Sequence, residues 1–500
     1  MSDLKQKTVK GIAFLGAGKS FGRIISFVNT LVLARILSPE DYGLMAMAMV
    51  VSGFVAFFNE IGLGSAIVQR KQVSQVQLVG CFYIAMVISV LLYFATYWAA
   101  PLANDLYDND KVGALLQVIA LGFILGAVKT VPEALLRREM KFMHISAIEF
   151  VSILIHCGTT LALALMGWET WSLVYGMLAG ELFRTIAMFA ASRWLPTNGG
   201  KLSEAIDLMK FGATVTYSRI TWYIYSNAQT LILGKVSGDR ATGVFTMAQT
   251  LAFLPSQHIT TLVIQVASPL FARLQEDTKS LNAAILKLTS GLALIAFPVL
   301  MGMVLTADEL VSVLLGPDWS EVTLPLQLLC VMSACKSIDP LLTQALISIG
   351  RADITARYTT LCAVMIPLGV YIGAVNWDIV GASAALAITY PVLMVVLLLI
   401  TRRYYALSMR QYAQHLAAPV SACLAMAVAI MGIEFALNTW LNVNDFIMLC
   451  VKVAVGVLSY CLWLIYTQPK SMQLLHSVLT DLGISEQKLE RWPFNQANVR

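Results

Sequence analysis

The sequence predicts an all-α polytopic membrane protein of fourteen transmembrane helices, built as two pseudo-symmetric six-helix lobes followed by two C-terminal helices. Three observations carry this expectation. Of 500 residues, 58% are hydrophobic and 13% charged, with a mean hydropathy of +0.74, whereas about a quarter of a soluble chain is charged. The basic residues outside the apolar stretches alternate from side to side along the chain. The segment from Lys19 to Ala48 recurs without a gap, 200 residues later, from Arg219 to Ala248.

A helix of about 20 apolar residues crosses the hydrocarbon core. Such stretches fall near 12–36, 43–62, 77–99, 112–132, 145–166, 170–192, 207–233, 242–268, 283–305, 322–348, 355–374, 379–401, 413–435 and 444–466. With the N-terminus placed in the cytoplasm, 23 Lys and Arg lie in inner segments and 4 in outer ones, namely Arg35, Lys111, Lys235 and Arg240. That is the bias expected of cytoplasmic loops, and it puts both termini inside. The net charge of +5 then reflects topology, and no nucleic-acid partner is expected. Met1–Lys10 is polar and leads into a first span too long for a signal sequence, so no cleavable leader is expected.

The spans group into a lobe at 1–193, a turn-rich cytoplasmic linker at 194–206, a second lobe at 207–402, two further spans at 403–467 and a cytoplasmic tail at 468–500, with an amphipathic stretch at Met472–Leu482. External loops are short. The longest, about Thr306–Glu321, leaves no room for an external domain.

In the repeat, Ile24, Ser26, Thr30, Leu31, Leu33, Gly43, Met47 and Ala48 meet identical residues, Lys19 meets Arg219, and Asn29 meets Gln229. Repeated bundles are a transporter signature. Charges at membrane depth are functional candidates, because each costs roughly 2.5–3.5 kcal/mol at mid-bilayer. Lys19, Arg23, Arg219 and Lys336 lie near mid-span; they predict a cationic, water-filled cavity, suited to a phosphate or carboxylate. A buried ion pair is the alternative reading for Lys19 and Arg23.

Asp339 follows Lys336 by three residues, and is either its neutralising partner or a titratable group that changes partner. Glu149 and His156 share one face of the fifth span and could carry a coupled ion, such as a proton. Lys129 with Glu133, and Glu181 with Arg184, have the spacing of intrahelical pairs. Asn227 follows Arg219 and Tyr223 at helical spacing, with Gln229 close by. Prolines 255, 298, 340, 367, 391 and 419 fall within spans and allow bends. All eight cysteines lie in spans without metal-ligand spacing, so packing is their expected role; neither a metal site nor a cofactor is expected. Gly16-Ala17-Gly18-Lys19-Ser20 lacks the spacing and the preceding strand of a phosphate loop.

Leu37-Ser-Pro-Glu-Asp-Tyr-Gly43, Gly62-Leu-Gly-Ser-Ala-Ile-Val-Gln69, Leu136-Arg-Arg-Glu-Met-Lys-Phe142, Trp171-Ser-Leu-Val-Tyr-Gly176 and Pro269-Leu-Phe-Ala-Arg-Leu-Gln275 together resemble the Wzx-type polysaccharide flippases. The branch is similar to the WzxC-like exporters, within the multidrug/oligosaccharidyl-lipid/polysaccharide exporter superfamily, over roughly residues 5–410. The resemblance implies a non-enzymatic transporter of the bacterial inner membrane that moves an undecaprenyl-diphosphate-linked oligosaccharide by alternating access. Its implied partners are membrane lipid, a coupling ion (H⁺ or Na⁺) and polysaccharide polymerase or export machinery. Relatives often carry an acidic residue near position 229. This chain reads Asn227-Ala228-Gln229, so no coupling role is carried over to that position. A drug/cation antiporter would need acids to outweigh bases in the cavity, and a polymerase or ligase would carry a sizeable periplasmic loop.

Overall fold

The structure, a computed structural model, describes residues 21–59, 63–70, 73–197, 223–440 and 444–467. Lys19, Arg219, most of the linker and the tail lie outside them. The helices are α1 (Phe21–Ala34), α2 (Pro39–Asn59), α3 (Leu63–Gln69), α4 (Gln75–Tyr107), α5 (Asp110–Ile119), α6 (Leu121–Arg138), α7 (Phe142–Leu165) and α8 (Thr170–Ser192). There follow α9 (223–236), α10 (Gly238–Arg273), α11 (Thr278–Leu305), α12 (Ala307–Leu314), α13 (Thr323–Ser348), α14 (Ala352–Tyr405), α15 (Met409–Trp440) and α16 (Asp445–Thr467). Among the described residues, ten segments are long and apolar enough to span a bilayer. The protein is a multi-pass, all-helical membrane protein.

Local sequence sets the helix ends. Ser74 and Gln77 exchange side-chain and backbone hydrogen bonds in a capping box that opens α4. Asp277 caps α11, accepting from the backbone of Lys279 and Ser280; the Ser280 hydroxyl, donating to the same carboxylate, helps hold it below its usual pKa. The expected fourth span is two helices, α5 and α6, meeting at Ala120. A continuous α14 of 54 residues would be about 80 Å long, far more than one crossing needs. Its backbone is non-helical at Trp377 and Asp378, where the chain reverses. Gly373 and Gly381 face each other there, and a Cβ on either would come within 2.2 Å of the other's carbonyl oxygen.

The chain forms two compact units, Met1–Thr246 and Met247–Arg500. In the first, α6, α7 and α8 pack together, and α4 lies against α5 and α6. Lipid tails are as apolar as leucine, so close packing and polar contacts hold such helices together. Gly176 and Gly180 let α8 approach α7 closely: a Cβ at Gly176 would stand 1.8 Å from the Thr160 hydroxyl oxygen, and one at Gly180 would meet His156. Ser152 donates to the Gly180 carbonyl at 2.8 Å. In the second unit, α11 packs against α13 and α15. Leu294, Met426, Ile430 and Leu464 share one core there, and the Tyr460 hydroxyl donates to the Leu294 carbonyl at 2.8 Å. The last two helices are thus seated on the body of that unit.

The turns before α8 and at the α14 reversal share an unusual feature. Glu169 (φ 45°, ψ −134°) and Asp378 (φ 54°, ψ −139°) each follow a tryptophan and occupy a region that favours glycine. Such strain costs on the order of 1–3 kcal/mol. Glu169→Gly and Asp378→Gly are each expected to raise the unfolding temperature in detergent by several degrees. Unchanged or lower midpoints would show that the carboxylates contribute more than the strain costs.

Candidate functional site

Among the described residues, charged side chains within the apolar helices include three groups, one of which the sequence analysis did not single out. In the first unit, Lys129 and Glu133 come from α6, Glu149 from α7, and Glu181 and Arg184 from α8, and the structure brings all five together. The expected intrahelical pairs are replaced by contacts between helices. Lys129 bonds to Glu181, while Arg184 reaches Glu133 at 3.2 Å and Glu149 at 3.3 Å. Glu133 also takes Arg137 of its own helix at 2.7 Å. The packing of α6 and α7 on α8 brings carboxylates across the interfaces within reach of both cations. Their partial burial makes this a cross-helix staple in which every carboxylate has a cation.

His156 lies on the same α7 face as Glu149. It packs against Gly180, and its backbone carbonyl accepts from Thr160 at 2.8 Å. Arg23 is exposed on α1, which touches α7 where Gly22 meets Ile153. Asn29 is half-buried on the same helix. On α9, Asn227 donates to the Tyr223 carbonyl at 3.0 Å and Gln229 to that of Ser226 at 2.6 Å. The Gln229 side-chain oxygen is buried without a donor.

In the second unit, Lys336 and Asp339 lie one turn apart on α13 yet form no ion pair. The Lys336 ammonium sits over the Phe253 ring of α10, 4.1 Å from its centroid, and 5.9 Å from that of Tyr390 on α14. A cation over aromatic faces is stabilised by roughly 0.5–2 kcal/mol. Asp339 instead accepts from the Tyr358 hydroxyl of α14 at 3.2 Å. Of the two readings open from sequence, direct neutralisation is absent in this arrangement. As a residue Lys336 is half-buried.

The third group is Lys452 on α16, which sequence analysis did not single out. It is 2% exposed and binds Glu309 of α12 at 2.5 Å and Glu434 of α15 at 3.1 Å. Its position within an apolar span was the available signal. With two carboxylates around it, Lys452 is a clamp and offers little to a ligand.

At one end of the first unit the repeat meets itself. Gly43 on α2 and Gly243 on α10 lie back to back: a Cβ on Gly43 would stand 1.8 Å from the Asp239 carbonyl oxygen, and one on Gly243 would stand 1.8 Å from that of Pro39. Around them, Arg240 binds Glu40 at 2.7 Å, Lys235 binds Asp108 at 2.7 Å, and Asn109 donates to Asp239 at 3.0 Å. Elsewhere in this unit, a groove of about 770 Å³ between α6, α7 and α8 is walled by apolar side chains such as Leu125, Leu163, Tyr175 and Leu182. None of the candidate residues lines it.

Residues 32–324 match the family described as polysaccharide biosynthesis protein. The chain belongs to that family. Among relatives, it is 24% identical to lipopolysaccharide biosynthesis protein WzxC of Escherichia coli K12, over 76% of this chain and 78% of that one. It is 26% identical to succinoglycan biosynthesis transport protein ExoT of Rhizobium meliloti, over 77% and 78%. Its fold is similar to that of lipid II flippase MurJ in an inward closed conformation, with a TM-score of 0.71 at 13% identity over 90% of this chain and 97% of that one. Membership of the polysaccharide biosynthesis protein family agrees with the resemblance read from the motifs.

Proposed function

We propose that this protein is a flippase that carries an undecaprenyl-diphosphate-linked oligosaccharide across the bacterial inner membrane, from the cytoplasmic to the periplasmic leaflet, by alternating access. Family membership identifies the pathway. The observation that carries the cargo assignment is Lys336, a cation within a helix of the second unit whose ammonium is held over aromatic rings without a salt bridge to the adjacent Asp339. A diphosphate is the part of such a cargo that needs a cation. From sequence, Arg23 stays a candidate for an anionic group of the cargo, as do Lys19 and Arg219, which lie outside the described residues.

The proposal includes fourteen spans with both termini cytoplasmic. Support comes from the ten recognised segments, the double length of α14, and the helices at 21–34, 223–236 and 238–273. Reporter fusions at Lys111, Asp318 and Asn442 should read periplasmic, and those at Arg70, Lys201 and Gln468 cytoplasmic. A reversal at any one breaks the count.

The activity is tested in proteoliposomes. Purified protein should move a fluorescent undecaprenyl-diphosphate-linked oligosaccharide between leaflets, and Lys336→Gln should slow this at least tenfold in equally well-folded protein. Movement no faster than in protein-free vesicles would defeat the flippase reading. Full activity in Lys336→Gln would remove the cation from its account.

A further inference from the structure

The second unit holds more than a cation. Lys336 and Asp339 share a face of α13, yet each has found a substitute partner, the ammonium two aromatic rings and the carboxylate one phenol. Pro340 follows immediately and has no N–H, so the Lys336 carbonyl one turn back lacks its backbone donor. The Tyr412 hydroxyl of α15 and the Thr289 hydroxyl of α11 are buried beside one another without a hydrogen bond of ordinary geometry, within electrostatic range of Asp339. Tyr412 is 3% exposed and Thr289 0%. Polar groups of α14 and α15 therefore join those of α13 around one carboxylate that has a single hydrogen bond, at 3.2 Å. The titratable groups facing it are Lys336 and Cys335 on its own helix, Tyr358 and Cys362 on α14, and Tyr412 on α15.

We propose that Asp339 is a proton-binding site that controls how available Lys336 is to an anionic diphosphate. This rests on the flippase reading for the identity of the ligand. An ionised Asp339 both attracts the ammonium and repels an incoming anion. A proton taken from solvent by the carboxylate removes both effects, and no bond other than O–H forms. Coupling between two sites is reciprocal, so a bound diphosphate must in turn raise the proton affinity of Asp339. A carboxylate and one ammonium together carry no net negative charge to hold a metal cation, which favours a proton here. The aromatic seat on Phe253 gives the ammonium a resting place that does not use the carboxylate, leaving Asp339 free to titrate.

The direction is fixed by this scheme. Diphosphate binds more tightly at pH values where Asp339 is protonated and weakens as pH rises through its titration, by at most about tenfold per pH unit for one linked proton. The test is calorimetric binding of inorganic pyrophosphate to the full-length protein in detergent between pH 5 and 8, run beside Asp339→Asn, Asp339→Glu and Lys336→Gln. The ligand's own protonation appears equally in Asp339→Asn and is divided out. Asp339→Asn should bind tightly with no remaining slope, Asp339→Glu should keep a slope at shifted pH, and Lys336→Gln should bind weakly throughout. In weak buffer, the unsubstituted protein should take up close to one more proton per pyrophosphate than Asp339→Asn.

Farnesyl diphosphate separates the ligand sources. Tighter binding than pyrophosphate with the same pH slope assigns a lipid-linked diphosphate, and equal or weaker binding assigns a free one; either leaves the proton site standing. The proposal fails if pyrophosphate does not bind, or if Asp339→Asn reproduces the pH slope and proton uptake of the unsubstituted protein. Failure of leaflet movement with proton-linked binding intact would instead remove only the flippase reading.

Discussion

Gly43→Val and Gly243→Val are each expected to abolish most transport without reducing the amount of protein in the membrane. The cause is the reciprocal contact of α2 and α10, where an added Cβ would come within 1.8 Å of a backbone oxygen on the facing helix. A backbone atom cannot swing away as a side-chain tip can, so the two helices must separate. Overpacking of this kind costs about 1–3 kcal/mol, which lowers the ratio of closed to open molecules by roughly five- to more than a hundredfold. The surrounding Glu40–Arg240 and Asp108–Lys235 bridges would part with it. Cysteines at positions 40 and 240, in a background freed of the eight native cysteines, should crosslink readily in the unsubstituted glycine background and poorly with either valine. Equal crosslinking in all three would show that the contact yields locally. Normal transport despite lost crosslinking would show that closure at this end is dispensable.

Arg184→Met carries the second large effect, through stability. It removes the salt-bridge partner of Glu149 and the cross-helix partner of Glu133. Removing one partner from a buried ionic network costs about 3–5 kcal/mol, enough to unfold a marginally stable protein. Fluorescence-monitored thermal unfolding in detergent should show a large drop in midpoint, and membrane yield should fall with it. Adding Glu149→Gln should recover part of the loss by removing the orphaned charge. Arg137→Met serves as the contrast. Its side chain is 46% exposed, and exposed pairs are worth about 0–1 kcal/mol. If Arg184→Met and Arg137→Met behave alike, the network is not a staple.

The all-helical, multi-pass character was legible because it depends on residue type along one strand of sequence. Hydrocarbon thickness dictates span length, and the cost of a charge in lipid marks the exceptions. Pairing was not legible. Lys129 and Glu133 have good intrahelical spacing, but the approach of α6 to α8 gives Lys129 a nearer carboxylate in Glu181, and nothing in local sequence reports that approach. Lys336 and Asp339 also have pairing distance, yet Phe253 and Tyr390, from distant segments, supply the aromatic seat. Lys452 is a different case. The depth argument applied to Lys336 covers it equally, and only the identity of its partners, Glu309 and Glu434, required the structure. For Lys19 and Arg219, which open the repeat, the expectation stands on sequence, since both lie outside the described residues.

The Lys452 clamp also bears on how the chain is made. A lysine in mid-span disfavours insertion of an isolated helix by roughly 2.5–3.5 kcal/mol. Ribosomes work from the N-terminus, so Glu309 and Glu434 have both been synthesised before Lys452 emerges. The last helix therefore enters a membrane where its counter-charges already wait, and its insertion is assisted by segments made earlier. A chain cut before Asp445 would leave the two carboxylates with no lysine to receive, turning a late truncation into a defect of the helices made before it.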